Sequence, residues 1–420
     1  MTPKKKTTPP IDVDAIDALL QDATRSITSA RALLRGDTPT PPPDVITDNL
    51  QAAIDAAAPG STLTIHGIFT DPITIAKPLA IVTDDEGGAT LRGGLVVTGS
   101  DVAITGITIT KDQSRDDVVV LVGDRITFDR VTVLGDPTNG QKRGIAANGR
   151  DITLIECVVD HVWLPGQDTQ AVCGWDNTIN LTIRGGRYYA AGETILIGGS
   201  DCGSEDRQPQ RFTLTGALLS KRPEWRTNGA SVKNVLELKN CLGATITDNT
   251  IEQCWADGQA GYAVVFTPRN QGGGNPYANV TDVEFCRNRI QHVAAFANLL
   301  GTDYPNPSGI MARVELRDNT IDDMDREKYK SASGQWGSDK AIQLGDGAVD
   351  LTIDHNTFTN TANVGSGLFL YGKPCDRVNI TNNAFPPNPK YGTVCGDGTG
   401  CGQAARDKYI LSGTYEGNTP

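Results

Sequence analysis

One short pattern recurs ten times along this chain, and it restricts the fold more than any other feature. The pattern is an apolar residue, two residues, a small or polar residue, one residue, then a second apolar residue. It begins at Ile104, Phe128, Leu154, Ile183, Leu214, Ile246, Phe285, Leu316, Ile353 and Ile380, with starts 24 to 39 residues apart. Inside each copy apolar and polar positions alternate, as a strand with one buried face requires. A second apolar strand follows most copies, at 118–122, 194–197, 235–238, 263–266, 342–344 and 368–371. Less regular apolar stretches at 63–65, 73–75, 79–82 and 95–97 extend the series towards the N-terminus. Two or three short strands per unit, with insertions of varying length, predict an all-β solenoid: a right-handed parallel β-helix of about 11–12 coils.

The fourth position of the pattern sharpens this expectation. It is Asn249, Asn288, Asn319, Asn356 and Asn383 in the last five copies, and Ile107, Val131, Cys157, Gly186 and Ala217 in the first five. Stacked coils set such residues about 4.8 Å apart. An inward asparagine there can bond its amide to the asparagine of the next coil and to local backbone, so an asparagine ladder is expected. A leucine-rich repeat would need shorter units dominated by Leu, and a propeller would need longer antiparallel blades.

The residues before the repeat read differently. Val13, Ile16, Leu20, Ala23, Ile27, Ala30 and Leu34 are spaced alternately by three and four, a heptad seam, with Asp12 or Asp14 as N-cap and Gly36 as C-cap. Such a helix either lies on the following domain or brings chains together. The proline-rich run 36–43 favours an extended, semi-rigid spacer. A second helix is expected over 48–58, with Asp48 and Gln51 in capping-box relation and Leu50, Ile54 and Ala57 on its apolar face. The expected organisation is a helical attachment or oligomerisation segment (1–36), a linker (37–46), a capping helix (47–60), the β-helix (61–386) and a C-terminal cap (387–420).

A formal charge of −12 argues against nucleic acid as a partner, and no apolar run is long enough to insert in a membrane. Residues 1–10 are basic and polar with no apolar stretch after them, so no secretory signal peptide is expected. That places the protein in the cytoplasm of the producing cell until release, then on a virion or outside the cell. Nine cysteines are scattered, with no zinc spacing. Cys395 and Cys401 bracket a glycine-rich turn just after Cys375, a place for one disulfide.

The coil pattern over about residues 60–390 resembles the right-handed parallel β-helix superfamily of pectate-lyase-like proteins, phage tailspikes and polysaccharide-degrading enzymes among them. The segment 193–356, with Lys221-Arg222-Pro223-Glu224-Trp225-Arg226, the run 232–240 and Phe266-Thr267-Pro268-Arg269-Asn270-Gln271, is similar to β-helix proteins of soil bacteria with no assigned activity. The superfamily includes lyases, hydrolases, esterases, epimerases and non-enzymatic spikes, so the fold alone does not choose an activity.

The resemblance does suggest where to look. Hydrolases of the polygalacturonase type carry Gly-His-Gly and Arg-Ile-Lys signatures, both missing here, and His66, His161, His292 and His355 read as outward turn residues. Lyases of the superfamily use an Arg or Lys base beside acidic Ca²⁺ ligands, because removing a proton next to a uronate needs its charge neutralised. In the strand 232–240, inward Leu236 and Leu238 would leave Lys233, Val235, Glu237 and Lys239 outward. Neighbouring coils add Glu193 and Asp201 on one side and Arg269 and Asp303 on the other, and Glu224, Trp225 and Arg226 would fold over the same face. Lys233, Glu237, Lys239 and Arg269 are thus the catalytic candidates. Glu193, Asp201, Trp225, Arg226, Asp303 and Trp336 are the substrate-binding ones. The competing reading is a solvated sheet face of cross-strand ion pairs. Two insertions, 270–279 and 322–340, offer a second surface, and Trp163, Trp225, Trp336 and Tyr304 are candidate platforms for a sugar ring. No metal ligand set is assigned, although acidic insertions leave room for Ca²⁺.

Three functions follow. The first is a virion-type spike or fibre, homotrimeric and joined to other virion proteins, that binds, or binds and depolymerises, host surface polysaccharide. The second is a bacterial lyase or glycoside hydrolase of acidic glycans. The third is a purely structural β-helix subunit.

Overall fold

The computed structural model describes residues 45–84, 88–112 and 114–420. The heptad segment and the proline-rich spacer lie outside the described residues. Three parallel sheets run the length of the solenoid, and each coil contributes one strand to each in turn. Sheet I runs from Ser61–Ile65 to Tyr415–Glu416, sheet II from Gly67–Phe69 to Thr357–Thr359, and sheet III from Ile73–Ile75 to Gly392–Gly396. The chain folds as a right-handed parallel β-helix.

The recurring pattern is the register of this solenoid. Its first apolar residues pair strand to strand in sheet I, from Ile104 and Phe128 through Leu214, Ile246 and Phe285 to Ile380. Its last apolar residues pair the same way in sheet II, as Val133 with Ile109 and Val159, and Ile290 with Ile251 and Ile321. All are buried. One residue in the left-handed region turns the chain between the two sheets, always the third of the pattern. It is Gly106, Gly185 or Gly216 in three coils, but Arg130, Glu156, Asp248, Arg287, Asp318, His355 or Asn382 in the others. A side chain at such a φ costs about 1 kcal/mol or more, and the flanking strand pairs hold it there.

Directly after that turn the asparagines form one column. Asn249 Nδ2 donates to Asn288 Oδ1 (2.9 Å) and to the Leu214 carbonyl (3.0 Å), and its backbone N–H also reaches Asn288 Oδ1 (3.0 Å). The same arrangement passes through Asn319 and Asn356 to Asn383. It ends on Asn418, whose Oδ1 accepts from Asn383 at 2.9 Å.

Both ends of the interior are covered. The helix Leu50–Ala56 buries Leu50 and Ile54 against the first strand of sheet III. Its cap differs from the expected one: Asn49 accepts from the Ala52 N–H (3.3 Å), while Gln51 bonds both backbone groups of Thr74. Gln51 is thereby used to dock the helix on an open sheet edge instead of closing a capping box. At the other end Cys395 and Cys401 form a disulfide across a short antiparallel hairpin. The helix Gln403–Tyr409 then packs Ala405 and Tyr409 inward. The other seven cysteines are free and buried.

Sheet III departs from strict alternation. Its strands carry two consecutive inward residues, Val118-Val119, Ala171-Val172, Val235-Leu236, Ala263-Val264 and Ala341-Ile342, all in the main core. The register between neighbouring coils is unbroken there, as in Asp117 with Arg143 and Val119 with Ile145, so the break in alternation is stacked coil on coil with no residue inserted. It corrects the sequence expectation for Val235, which faces the core rather than the groove.

Candidate functional site

The outer face of sheet III lies between two sets of loops, those arriving from sheet II and those leaving for sheet I. Between them opens a cleft of about 440 Å³, lined by Asp168, Lys233, Glu237, Lys239, Gln259, Arg269, Asn270, Gln271, Asp303 and the turn Tyr304-Pro305-Asn306. Lys233, Glu237, Lys239, Arg269 and Asp303, placed on one face from sequence, all line it. They come from three successive coils, brought together because Leu196, Glu237, Val265 and Asn298 pair in register across sheet III.

Each cation in the cleft has an acidic partner. Lys233 Nζ stands 2.6 Å from Asp168 Oδ2 and 3.5 Å from Glu193 Oε1. Burial disfavours its charge, but Glu193 and Asp168 outweigh that and hold the ammonium above its ordinary pKa. Lys239 Nζ lies 3.6 Å from Glu237 Oε1. Arg269 Nη1 donates to Asp303 Oδ1 (2.6 Å), and the backbone N–H groups of Asn270 and Tyr304 also bond that carboxylate (2.9 Å each). Asp303 is thus a fixed, buried anchor that aims the guanidinium, and the loops carrying it and Asn270 brace each other.

Glu193 and Glu237 form the unusual part of the site. Glu193 is fully buried behind Lys233, with Oε2 accepting from Gln170 Nε2 at 2.8 Å. Glu237 is 2 % exposed. Burial, reinforced by the nearby Glu193 carboxylate, pushes its pKa up to about 7 against the pull of Lys239 and Lys233. Glu237 Oε2 meets no hydrogen-bond donor of the protein, and Glu193 Oε1 has only the Lys233 ammonium, 3.5 Å away and outside hydrogen-bond geometry. Glu237 therefore keeps its proton towards neutral pH, and as an O–H it offers Glu193 a donor. Behind them Asn234 is fully buried with neither side-chain atom hydrogen-bonded. Among the described residues no three His, Cys, Asp or Glu side chains gather as a metal site.

The other expected binding residues lie elsewhere. Trp225 is 2 % exposed, packed with Trp163, Val232, Trp255 and Tyr329 in a satellite core beneath the loops. It cannot offer a face to a sugar, because the loop 222–227 needs its own apolar anchor to lie down on the solenoid; Trp163 serves the same core. Arg226 Nη2 donates to the carbonyls of Lys328 (3.2 Å) and Lys330, stitching this loop to the insertion after sheet II. That insertion starts later than expected, since Asp322 and Asp323 still belong to the strand Thr320–Met324. Trp336 is half-exposed under the Arg326 guanidinium, outside the cleft lining. Asp201 lies against the insertion 270–279, where a Cβ on Gly274 would stand 2.4 Å from its Oδ2. Tyr304, 85 % exposed on the rim, is the cleft's available aromatic face. His292 bonds Asp323 (2.8 Å) and meets Tyr329 Oη (3.2 Å) on sheet II, and His161, His292 and His355 occupy left-handed turn positions. Nothing in the sequence marks Asp168, Gln170 and Gln259, since each is a loop or strand-start residue whose place depends on insertion length, while Asn270 and Gln271 reach the cleft from the insertion 270–279.

The fold is shared with proteins that handle polysaccharide. The structure matches the Dettilon tailspike protein with a TM-score of 0.54 and 14% identity, over 84% of this chain and 68% of that one. It matches a double mutant of the tailspike of E. coli bacteriophage HK620, in complex with a pentasaccharide, with a TM-score of 0.51 and 12% identity, over 91% of this chain and 64% of that one. A PL6 polysaccharide lyase of Pseudopedobacter saltans matches with a TM-score of 0.50 and 15% identity, over 90% and 83% of the two chains. At these identities the likeness establishes the fold. No family model matches the sequence, and no curated protein matches it significantly.

Proposed function

We propose that this protein is a spike-type, polysaccharide-binding β-helix whose sheet III cleft takes an acidic glycan and supplies the proton for its cleavage from Glu237. The observation that carries the reading is the buried Glu237, its pKa raised towards neutrality, in one cleft with Lys233, Lys239, Arg269 and the exposed ring of Tyr304. A sugar ring can stack on Tyr304, and its carboxylate can compete with Asp303 or Glu237 for Arg269 and Lys239. Cleaving a glycosidic bond requires a proton on the departing oxygen, and a carboxyl with a pKa near 7 is suited to giving it. Lys233, held charged by Glu193 and Asp168, serves as a counter-ion to the substrate and not as a base. The heptad segment and proline spacer support attachment to a particle and association into a homotrimer, with the β-helix projecting outward.

A lyase reading is favoured by Lys239 beside Glu237. In that reading Lys239 enters the step as the free amine, its proton resting on Glu237, and takes the proton next to the uronate carboxylate while Glu237 protonates the oxygen that leaves. The test is incubation with uronic-acid polymers and neutral polysaccharides, following new reducing ends and the ultraviolet absorbance of an unsaturated product end. Cleavage of acidic polymers that disappears in Glu237→Gln is expected, and the absorbance separates elimination from hydrolysis. Neither binding nor cleavage of any acidic polymer would overturn the proposal.

A further inference from the structure

Lys221 follows the strand Leu218–Ser220 and lines no part of the cleft, yet it is fully buried. Its Nζ donates to the carbonyl oxygens of Ala191 (3.0 Å), Asn234 (3.0 Å), Ala190 (3.2 Å) and Gly192. An ammonium surrounded by backbone oxygens replaces its lost hydration, as a carbonyl cage does for a small cation, and burying it otherwise would cost several kcal/mol. If filling space were the only need, an apolar side chain would serve at this position. The acceptors are the informative part. Gly192 immediately precedes Glu193, and Asn234 immediately follows Lys233. The ammonium therefore ties together the two backbone segments that bring Glu193 and Lys233 to 3.5 Å, next to the inward pair Val235-Leu236 where sheet III loses its simple alternation. Gly192 is held from its other side as well, through its N–H to Thr169 Oγ1 (2.9 Å).

We infer that Lys221 is a positioning residue for the cleft: its ammonium, held by the carbonyls of Ala190, Ala191, Gly192 and Asn234, sets the spacing of Glu193 and Lys233 and through them the Glu193–Glu237 carboxyl pair. Burial lowers the Lys221 pKa to about 8, with Cys254 and Glu193 acting the other way, so the side chain is still cationic at neutral pH. The activity arm of this inference rests on the function proposed above; the structural arm does not.

The test uses the full chain with Lys221→Ala, which leaves a channel ending in four carbonyls. Hydrogen exchange of the amides at 192–194 and 233–237 is expected to quicken at least about tenfold, and glycan affinity to fall by a similar factor. Methylammonium chloride, which returns a cation to the cage, is expected to reverse both changes in part. Sodium chloride and tetramethylammonium chloride at the same ionic strength are not. Lys221→Met keeps the length without the charge and should show the faster exchange with no rescue; it carries the comparison if the alanine variant does not fold. Wild-type exchange rates in the variants, or an equal response of Lys221→Ala to all three salts, would overturn the inference. A wild-type chain that binds no acidic glycan, while the exchange behaves as expected, would overturn the proposed function and leave this inference standing.

Discussion

Replacing Glu237 by Gln removes the one ionisation that the cleft geometry disfavours, and its consequence can be worked out from the structure. The rise from an ordinary 4.5 to about 7 means that the folded chain holds this proton more tightly than the unfolded one, by about 3 kcal/mol. A carboxyl with a raised folded-state pKa contributes stability that is fully present below pH 4.5 and is lost as pH rises through 7. Gln cannot ionise, so the variant escapes that loss. Relative to wild type, Glu237→Gln should gain up to about 3 kcal/mol between pH 4.5 and pH 8, seen as a thermal midpoint that falls less over that range. Infrared difference spectra of wild type against variant should show a protonated carboxyl band that titrates away near pH 7. A band that vanishes in the ordinary carboxylate range, with parallel pH dependence of the two thermal midpoints, would refute both the raised pKa of Glu237 and the acid role built on it.

Two further substitutions test the frame around the cleft. Asn319→Ala strands the Asn288 N–H inside the solenoid and takes one bond each from the Phe285 carbonyl, the Asn288 amide and Asn356 Oδ1, at about 1–3 kcal/mol for the stranded donor. Thermal unfolding should show a far larger loss than Asn418→Ala at the open end; equal losses would contradict the column's role. Trp225→Ala empties the satellite core and should cost about 3–5 kcal/mol, measured by urea unfolding. Loss of glycan binding with unchanged stability would instead return Trp225 to the binding surface.

Most of the solenoid was legible because its physics is local and repeats. The apolar columns of sheets I and II follow from period-two alternation, and their pairing partners are the equivalent residues of adjacent copies. Asn418 escaped notice because its copy ends on Pro420 in place of the second apolar residue, although Tyr415 pairs with Ile380 as the pattern demands. The break in alternation of sheet III is invisible in the sequence, since two adjacent inward residues such as Val235-Leu236 look like an ordinary apolar run, and period-two alternation turns Val235 the wrong way. Glu237, Lys233, Lys239, Arg269 and Asp303 could be assembled because they lie at or near paired strand positions. Trp225, Arg226 and Asp201 could not, because loop residues settle according to which hydrophobic anchors and carbonyls are in reach. Lys221 stands in the sequence beside Arg222, Glu224 and Arg226, where nothing marks it as buried, and only the cage of carbonyls reveals its place.

The central claim is that sheet III, and not the sheet I face or the long insertions, holds the glycan. The most direct test is a crystal structure of the Glu237→Gln variant soaked with an acidic oligosaccharide. The account predicts a sugar ring against Tyr304, a carboxylate on Arg269 or Lys239, and a glycosidic oxygen within hydrogen-bond reach of residue 237. An oligosaccharide seated on sheet I, or on the 325–339 loop beside Trp336 with the cleft empty, would contradict it.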